Sequence, residues 1–150
     1  MKVRTDFVTN SSSSSYICCF ARIADRDRAK PILEKHKELP KHFYQEFGVY
    51  TADEALEEIK NARYENWLGC EWAGVNPTPT TQYLKRHPDD EFVAVSEWRD
   101  WEKWTDDGYL DYDLVELEDF SPEIVSLVNE ITEKNGFADI DLEYGAGFNG

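Results

Sequence analysis

The chain of 150 residues carries a formal net charge of −15, from 31 Asp and Glu against 16 Lys and Arg. This length fits a single domain over residues 1–150, and the aromatic content of 14% argues against the disorder of acidic chains poor in aromatic residues. The charge argues against direct binding of nucleic acid, and no apolar stretch approaches the ~20 residues of a membrane-spanning helix.

The first strand is predicted at residues 16–23, where apolar side chains follow one another almost without interruption. Such a strand is typical of a sheet centre, where both of its faces are buried. Residues 9–15 are rich in serine and are expected to form a flexible loop before it. Cys18 and Cys19 lie in the strand, and with Cys70 they are too few for a disulfide framework. We therefore expect reduced thiols and a cytoplasmic location.

Two helices of some length are predicted in the first half of the chain, with a short one just after it. Residues 25–38 have apolar side chains at helical spacing. A capping box from Thr51 to Glu54 opens a second helix, in which the two side chains satisfy free backbone amides. A short third helix is expected at residues 80–86, after a loop that is rich in aromatic residues.

Three further strands are predicted towards the end of the chain. Residues 91–98 and residues 109–117 are two of them, and a turn signal between them makes a hairpin plausible. Residues 137–144 form the last strand, and residues 145–150 are expected to be a loose tail.

The strongest helix signal lies between these strands. Ser121 is placed as the N-cap and Pro122 at the first helical position, ahead of an apolar stripe at helical spacing. Gly136 fits a cap after the last turn. The whole pattern predicts an α+β fold, with a mainly antiparallel sheet of about four strands and about three helices packed on one face. The acidic residues would then lie on the other face.

The acid is concentrated in the last third of the chain. Residues 1–50 carry a net charge of +3, residues 51–100 carry −6 and residues 101–150 carry −12, which together give −15. In this last part carboxylates alternate with large apolar residues, so they share one face of each predicted strand. These candidate partner-binding residues are Asp111, Asp113, Asp139, Asp141 and Glu143.

This acidic surface allows several interpretations. It can be a solvated face that keeps the protein soluble, a docking surface for a basic protein, or a Ca²⁺ or Mg²⁺ site. The spacing of an EF-hand is absent and so is that of a zinc site, so no metal and no cofactor is expected. Carboxylates along a strand recur at about 6.5–7 Å, so they can also imitate the phosphates of a nucleic acid.

A second candidate surface is aromatic. Trp98, Trp101 and Trp104 recur every three residues and would form one stripe on a helical or 3₁₀ turn. Such a stripe either packs over the edge of the sheet or binds a partner, since Trp is enriched in binding hot spots. The loop from Trp67 to Trp72 could line a pocket for a small ligand.

The sequence favours a protein without catalytic activity. His36, His42 and His87 are scattered among polar segments, and no motif for a nucleophile, a phosphate loop or a zinc protease occurs. No catalytic residue is therefore assigned.

Residues 2–17 read Lys-Val-Arg-Thr-Asp-Phe-Val-Thr-Asn, then five serines, then Tyr-Ile. This segment resembles an N-terminus shared by uncharacterised small proteins of Firmicutes and their phages. The resemblance implies a bacterial or phage source and no particular activity, and residues 18–150 resemble no family.

The leading hypothesis is an acidic interaction protein that binds a basic partner surface, as a nucleic-acid mimic or inhibitor. One alternative is a ligand-binding protein or enzyme with a site near Trp67–Trp72. Another is a structural subunit that self-associates, although the sequence does not predict an oligomeric state.

Overall fold

A computed structural model describes residues 12–61, 79–100, 115–133 and 135–149. The strands are β1 (Ser12–Ile23), β2 (Gln45–Thr51), β3 (Glu91–Asp100) and β4 (Phe137–Asn149). The helices are α1 (Arg26–Lys35), α2 (Ala52–Asn61), α3 (Pro79–Arg86) and α4 (Pro122–Thr132), with a 3₁₀ turn at Leu117–Asp119. The strands form one antiparallel sheet in the order β2-β3-β1-β4. The predicted α+β class and antiparallel sheet are confirmed.

β1 lies inside the sheet because both of its faces are apolar. Ile17 and Cys19 belong to one core cluster, and Phe20 belongs to a second cluster on the opposite face. Helices α1 and α4 pack on the first face, whereas α2 and α3 pack on the second. The helices thus cover both faces, where we expected one, because a strand that is apolar on both sides needs two covering layers.

The start of α2 agrees with its predicted cap, whereas the start of α4 agrees only in its proline. The Thr51 hydroxyl accepts a hydrogen bond from the Glu54 amide at 3.1 Å, and the Glu54 carboxylate accepts one from the Thr51 amide at 2.9 Å, which confirms the capping box. Pro122 is the first residue of α4, but the Ser121 side chain caps no amide of that helix. None of the helices in the described ranges is long and apolar enough to cross a membrane.

The observed strands differ from the predicted ones in two places. Strand β2 was not predicted, because its polar start and Gly48 in its middle weaken the strand pattern. Of the strand predicted at 109–117, residues 109–114 lie outside the described residues. Val115 and Glu116 have no regular structure, and Leu117 begins the 3₁₀ turn, so the prediction is wrong for those three residues.

The serine tract and the glycine-rich end are also strands, as far as they are described. Ser12 pairs with Asn149 and Ser15 with Ala146 in the β1–β4 ladder. The flexible loop at 9–15 and the loose tail at 145–150 are therefore corrected for residues 12–15 and 145–149. A ladder is built from backbone hydrogen bonds, so small side chains can take part when each tract offers the other a partner.

Gly136 lies in the turn that leads into β4. Helix α4 ends at Thr132 with Glu133 as its C-cap, so Gly136 is not the cap of that helix. Its φ of +93° is in the region that favours glycine, and its carbonyl accepts hydrogen bonds from the amides of Ala24 and Asp25, at 2.8 and 3.0 Å. This turn thereby holds the start of α1.

The two neighbouring cysteines differ in state. Cys18 takes part in a disulfide whose partner is not among the described residues, so the expectation of reduced thiols is wrong for Cys18. Cys19 is free and buried on the opposite face of β1. Burial raises the pKa of the Cys19 thiol to about 12, and the nearby Asp141 adds to this effect.

Alkylation should separate these two thiols. In protein purified without reductant and then unfolded, we expect the tryptic peptide of residues 5–22 to gain one label, at Cys19. After reduction the same peptide should gain two. In the folded protein Cys19 should not react at neutral pH, because a thiolate is the reactive form and burial disfavours it. Mass spectrometry measures the labels, and two labels in the unreduced, unfolded sample would contradict the disulfide.

Candidate functional site

The predicted acidic residues of β4 lie on a helix-covered side of the sheet. The structure describes Asp139, Asp141 and Glu143, whereas Asp111 and Asp113 lie outside the described residues. Asp141 pairs with Phe20 and Glu143 with Cys18, which places both on the face that α2 and α3 cover. Both side chains are half-buried. The open acidic face that we expected is therefore not found on this strand.

Asp139 reaches the same face through a β-bulge. The β1–β4 register shifts between Phe20 and Arg22, so Asp139 and Ile140 together oppose one residue of β1. Asp139 has a φ of +54°, a left-handed conformation that Asp adopts more readily than most residues. Because of the bulge, the consecutive residues Ala138 and Asp139 lie on one face, and the Asp139 carboxylate points towards α3.

The Asp139 carboxylate is held by two partners inside the protein. One of its oxygens accepts a hydrogen bond from the Tyr83 hydroxyl at 2.6 Å and another from Arg22 Nε at 3.0 Å. These bonds lower the pKa of Asp139, the one from Tyr83 most. Burial, followed by the bond to Asp139, raises the pKa of Tyr83 to about 12. Asp139 thus joins β4 to β1 and α3, which makes it a poor candidate for contact with a partner.

Acid should weaken this contact. The folded-state pKa of Asp139 lies below the ~3.9 of an unfolded Asp, so its stabilisation is present above that value and is lost as the pH falls through the lowered pKa. We expect Asp139→Asn to flatten this part of the curve of unfolding free energy against pH. At neutral pH the cost should stay under about 1 kcal/mol, because the pair is partly exposed.

Urea unfolding between about pH 2 and pH 7 would measure the effect on both proteins. Asparagine also tolerates a left-handed φ, so the backbone is kept. Asp53→Asn, at an exposed position of α2, is the matched control. A curve for Asp139→Asn that runs parallel to the wild type would contradict the assignment.

The tryptophan stripe is described only at Trp98, since Trp101 and Trp104 lie outside the described residues. Trp98 lies in strand β3 and is half-buried. Its ring meets the ring of Phe43 edge to face, with centroids 5.8 Å apart, and Phe43 is 86% exposed. The result is a small exposed aromatic corner before β2. The segment Trp67–Trp72 also lies outside the described residues.

A buried polar network, which we did not predict, joins the sheet to α4. Glu97 is fully buried and its carboxylate accepts hydrogen bonds from Gln45 Nε2 at 2.8 Å and from the Ser121 amide at 2.9 Å. Arg99 Nε lies 3.2 Å from the same carboxylate, and Arg99 Nη2 donates to the Ser121 hydroxyl at 2.9 Å. The available signal was alternation, which puts Glu97 on the core face with Val95.

An acidic surface lies along α4 and the turn before it. Residues 115–133 contain six carboxylates and no Lys, Arg or His. They are Glu116, Glu118, Asp119, Glu123, Glu130 and Glu133. We did not single out this segment, because its acid does not alternate. Its lack of any basic residue was the signal that could have identified it.

Lys35 at the end of α1 and Lys41 in the segment after it lie near acids of this surface. Lys35 Nζ lies 2.6 Å and His36 Nε2 lies 3.4 Å from the Glu130 carboxylate, and Lys41 Nζ lies 3.9 Å from Glu123. Desolvation would raise the pKa of Glu130, but the hydrogen bond and charge of Lys35, with those of His36, lower it overall. Glu130 is thus held as an anion.

A groove of about 610 Å³ runs along the outer side of α4. We call it the α4 groove, and its lining is Glu118, Phe120, Pro122, Val125, Ser126, Asn129, Glu130 and Glu133. Its polar side chains are acidic or neutral, and three apolar side chains lie among them. In the described parts of the chain, no group of three or more His, Cys, Asp and Glu is placed to hold a metal ion.

Comparison with known proteins finds no relative of this chain. No family model matches the chain, and neither a curated protein nor a solved structure matches it.

Proposed function

We propose that the protein is a non-enzymatic acidic interaction protein that binds a basic protein surface. The observation that carries this proposal is the one-sided charge of residues 115–133, where six carboxylates occur without any basic residue. Glu116, Glu118, Glu123 and Glu133 are exposed there. A surface of one sign attracts a partner of the opposite sign and speeds its association.

The acidic residues predicted from the strand pattern take a smaller part in this proposal. Asp111, Asp113, Asp141 and Glu143 add to the negative field, whereas Asp139 is engaged by Arg22 and Tyr83. Trp98, with Trp101 and Trp104, is proposed as an additional aromatic contact.

The partner that suits such a surface is a DNA- or RNA-handling protein. Its Lys and Arg groove normally holds phosphates, and carboxylates can occupy it in their place. A chain of this kind would come from a phage or mobile element and act in the cytoplasm of a bacterial host.

Capture from a lysate of the source organism tests this proposal. Proteins bound to the immobilised chain at low salt should be basic, should be released at high salt, and should be displaced by duplex DNA. Binding that persists unchanged at high salt would contradict the proposal. So would binding that survives the change of Asp111, Asp113, Asp139 and Asp141 to Asn together with neutralisation of α4.

Two variants with equal charge change locate the surface. The first is Glu118→Gln, Glu123→Gln and Glu133→Gln on α4 and the turn before it. The second is Glu38→Gln, Asp53→Asn and Glu58→Gln, at exposed positions of the first half of the chain. We expect the first to weaken binding of the captured partner about tenfold and the second less than about threefold, since distant exposed charges are screened.

A further inference from the structure

The α4 groove combines apolar and acidic lining in one place. Pro122 and the half-buried Val125 offer apolar contact above the buried Phe120, while Glu118 and Glu133 are exposed acids in the same lining. The opposite side of α4 is buried in the core through Ile124, Leu127, Val128 and Ile131. The groove is therefore the outward face of a helix whose inward face is already occupied.

The acids of the groove differ in how firmly they are engaged. Glu130 is bound by Lys35 and His36. Glu133 accepts one long hydrogen bond of 3.4 Å from Asn135, and Glu118 forms no hydrogen bond or ion pair with any residue that the structure describes. Glu118 and Glu133 can therefore receive an ammonium or guanidinium group without first losing an internal cation.

The spacing of the lining suits a helix as the occupant. Pro122, Ser126, Asn129 and Glu133 follow one another at intervals of four, three and four, which is a single stripe along α4. The stripe spans roughly 16 Å, or three turns. A helix lying along it presents side chains at i, i+3, i+4 and i+7 to the groove.

We propose that the α4 groove is the docking site for a basic amphipathic helix of the partner, with apolar side chains against Pro122 and Val125 and Lys or Arg opposite Glu118 and Glu133. The proposal rests on the proposed function and names its site and the form of its partner. Charge selects the occupant, because no Lys or Arg among the described residues lines the groove and a nucleic acid or an acidic helix would be repelled.

Two synthetic peptides test this docking site. One is an 18-residue helix with Leu at i, i+3, i+4 and i+7 and Lys elsewhere, and the other has the same composition in scrambled order. We expect the amphipathic peptide to bind at least tenfold more tightly in titration calorimetry. Amide shifts in NMR should be largest at Val125, Ser126 and Asn129.

Matched variants separate the groove from the overall charge. The double variant Glu118→Lys, Glu133→Lys should weaken binding of the amphipathic peptide at least tenfold. The control Glu38→Lys, Glu58→Lys should weaken that binding less than threefold. Val125→Ser, which changes no charge, should weaken it about fivefold and leave the scrambled peptide unaffected. Circular dichroism and the urea midpoint should show that each variant is folded.

Other outcomes have distinct meanings. If both peptides bind equally and both charge variants weaken them equally, the docking site is overturned and the general acidic interaction stands. If neither peptide binds at low salt, both proposals fail. If sedimentation shows a dimer that Val125→Lys dissociates, the groove is occupied by a second copy of the chain and the partner helix is overturned.

Discussion

Glu97→Ala is expected to lower the free energy of unfolding by about 2–4 kcal/mol, because each buried donor that loses its acceptor costs about 1–3 kcal/mol. The Glu97 carboxylate is fully buried and accepts hydrogen bonds from Gln45 and from the Ser121 amide. Alanine would leave these donors unsatisfied in the interior, and it would leave Arg99 without its carboxylate. A cavity where the longer side chain stood adds to the loss.

Two further variants make this prediction specific. Glu97→Gln keeps the volume and one acceptor oxygen but removes the charge and adds a donor beside Gln45, so we expect an intermediate loss of about 1–3 kcal/mol. Glu58→Ala, at an exposed position of α2, should change stability by less than about 0.5 kcal/mol. Urea unfolding measures all three, and a loss below about 1 kcal/mol for Glu97→Ala would contradict the role of the network.

The same network connects stability with the proposed function. Ser121 precedes α4 directly, and its amide and hydroxyl are held by Glu97 and Arg99. The α4 groove begins at this end of the helix, at Phe120 and Pro122. A change at Glu97 should therefore also disturb the groove, which is why the binding experiments use substitutions at the groove surface instead.

Strand β1 shows what the sequence could predict and which consequence of that prediction we did not draw. Uninterrupted apolar residues at 16–23 predicted a strand buried on both faces, and β1 has that place. The same observation already implies a helical layer on each side of the sheet. We had placed the helices on one face because the acidic strands seemed to require an open face, and the structure shows both faces covered.

Asp139, Asp141 and Glu143 share one face of β4, as alternation predicts, but α2 and α3 cover that face. Asp139 has a left-handed backbone conformation, and its carboxylate joins Arg22 and Tyr83, which are far away in the sequence. Neither the bulge nor these partners follow from local periodicity, because both depend on how β1 and α3 are placed. The acid of α4 needed no such information, since the six carboxylates of residues 115–133 and their lack of basic neighbours can be read from the sequence.

Gly136→Ala is expected to destabilise the fold by about 2–4 kcal/mol. A left-handed backbone costs a residue with a Cβ roughly 1–2 kcal/mol, and forcing an extra methyl group into a packed site costs about 1–3 kcal/mol. Gly136 has a φ of +93°, and a Cβ there would lie 2.7 Å from the Ala29 nitrogen and 2.7 Å from the Asp25 oxygen. Both are backbone atoms at the start of α1, so no side-chain rotation can relieve the contact.

Gly48→Ala is the matched control, because its Cβ would also meet a close atom but of a different kind. The nearest atom is the hydroxyl oxygen of Tyr50 at 2.8 Å, at the far end of a side chain that can turn away. We expect a change within about 1 kcal/mol there. Hydrogen exchange should also show faster opening at Ala24 and Asp25 in Gly136→Ala, because their amides bond to the Gly136 carbonyl. Equal losses of unfolding free energy in the two variants would mean that the turn does not hold α1. Gly136 would then be needed only for the direction in which the chain enters β4.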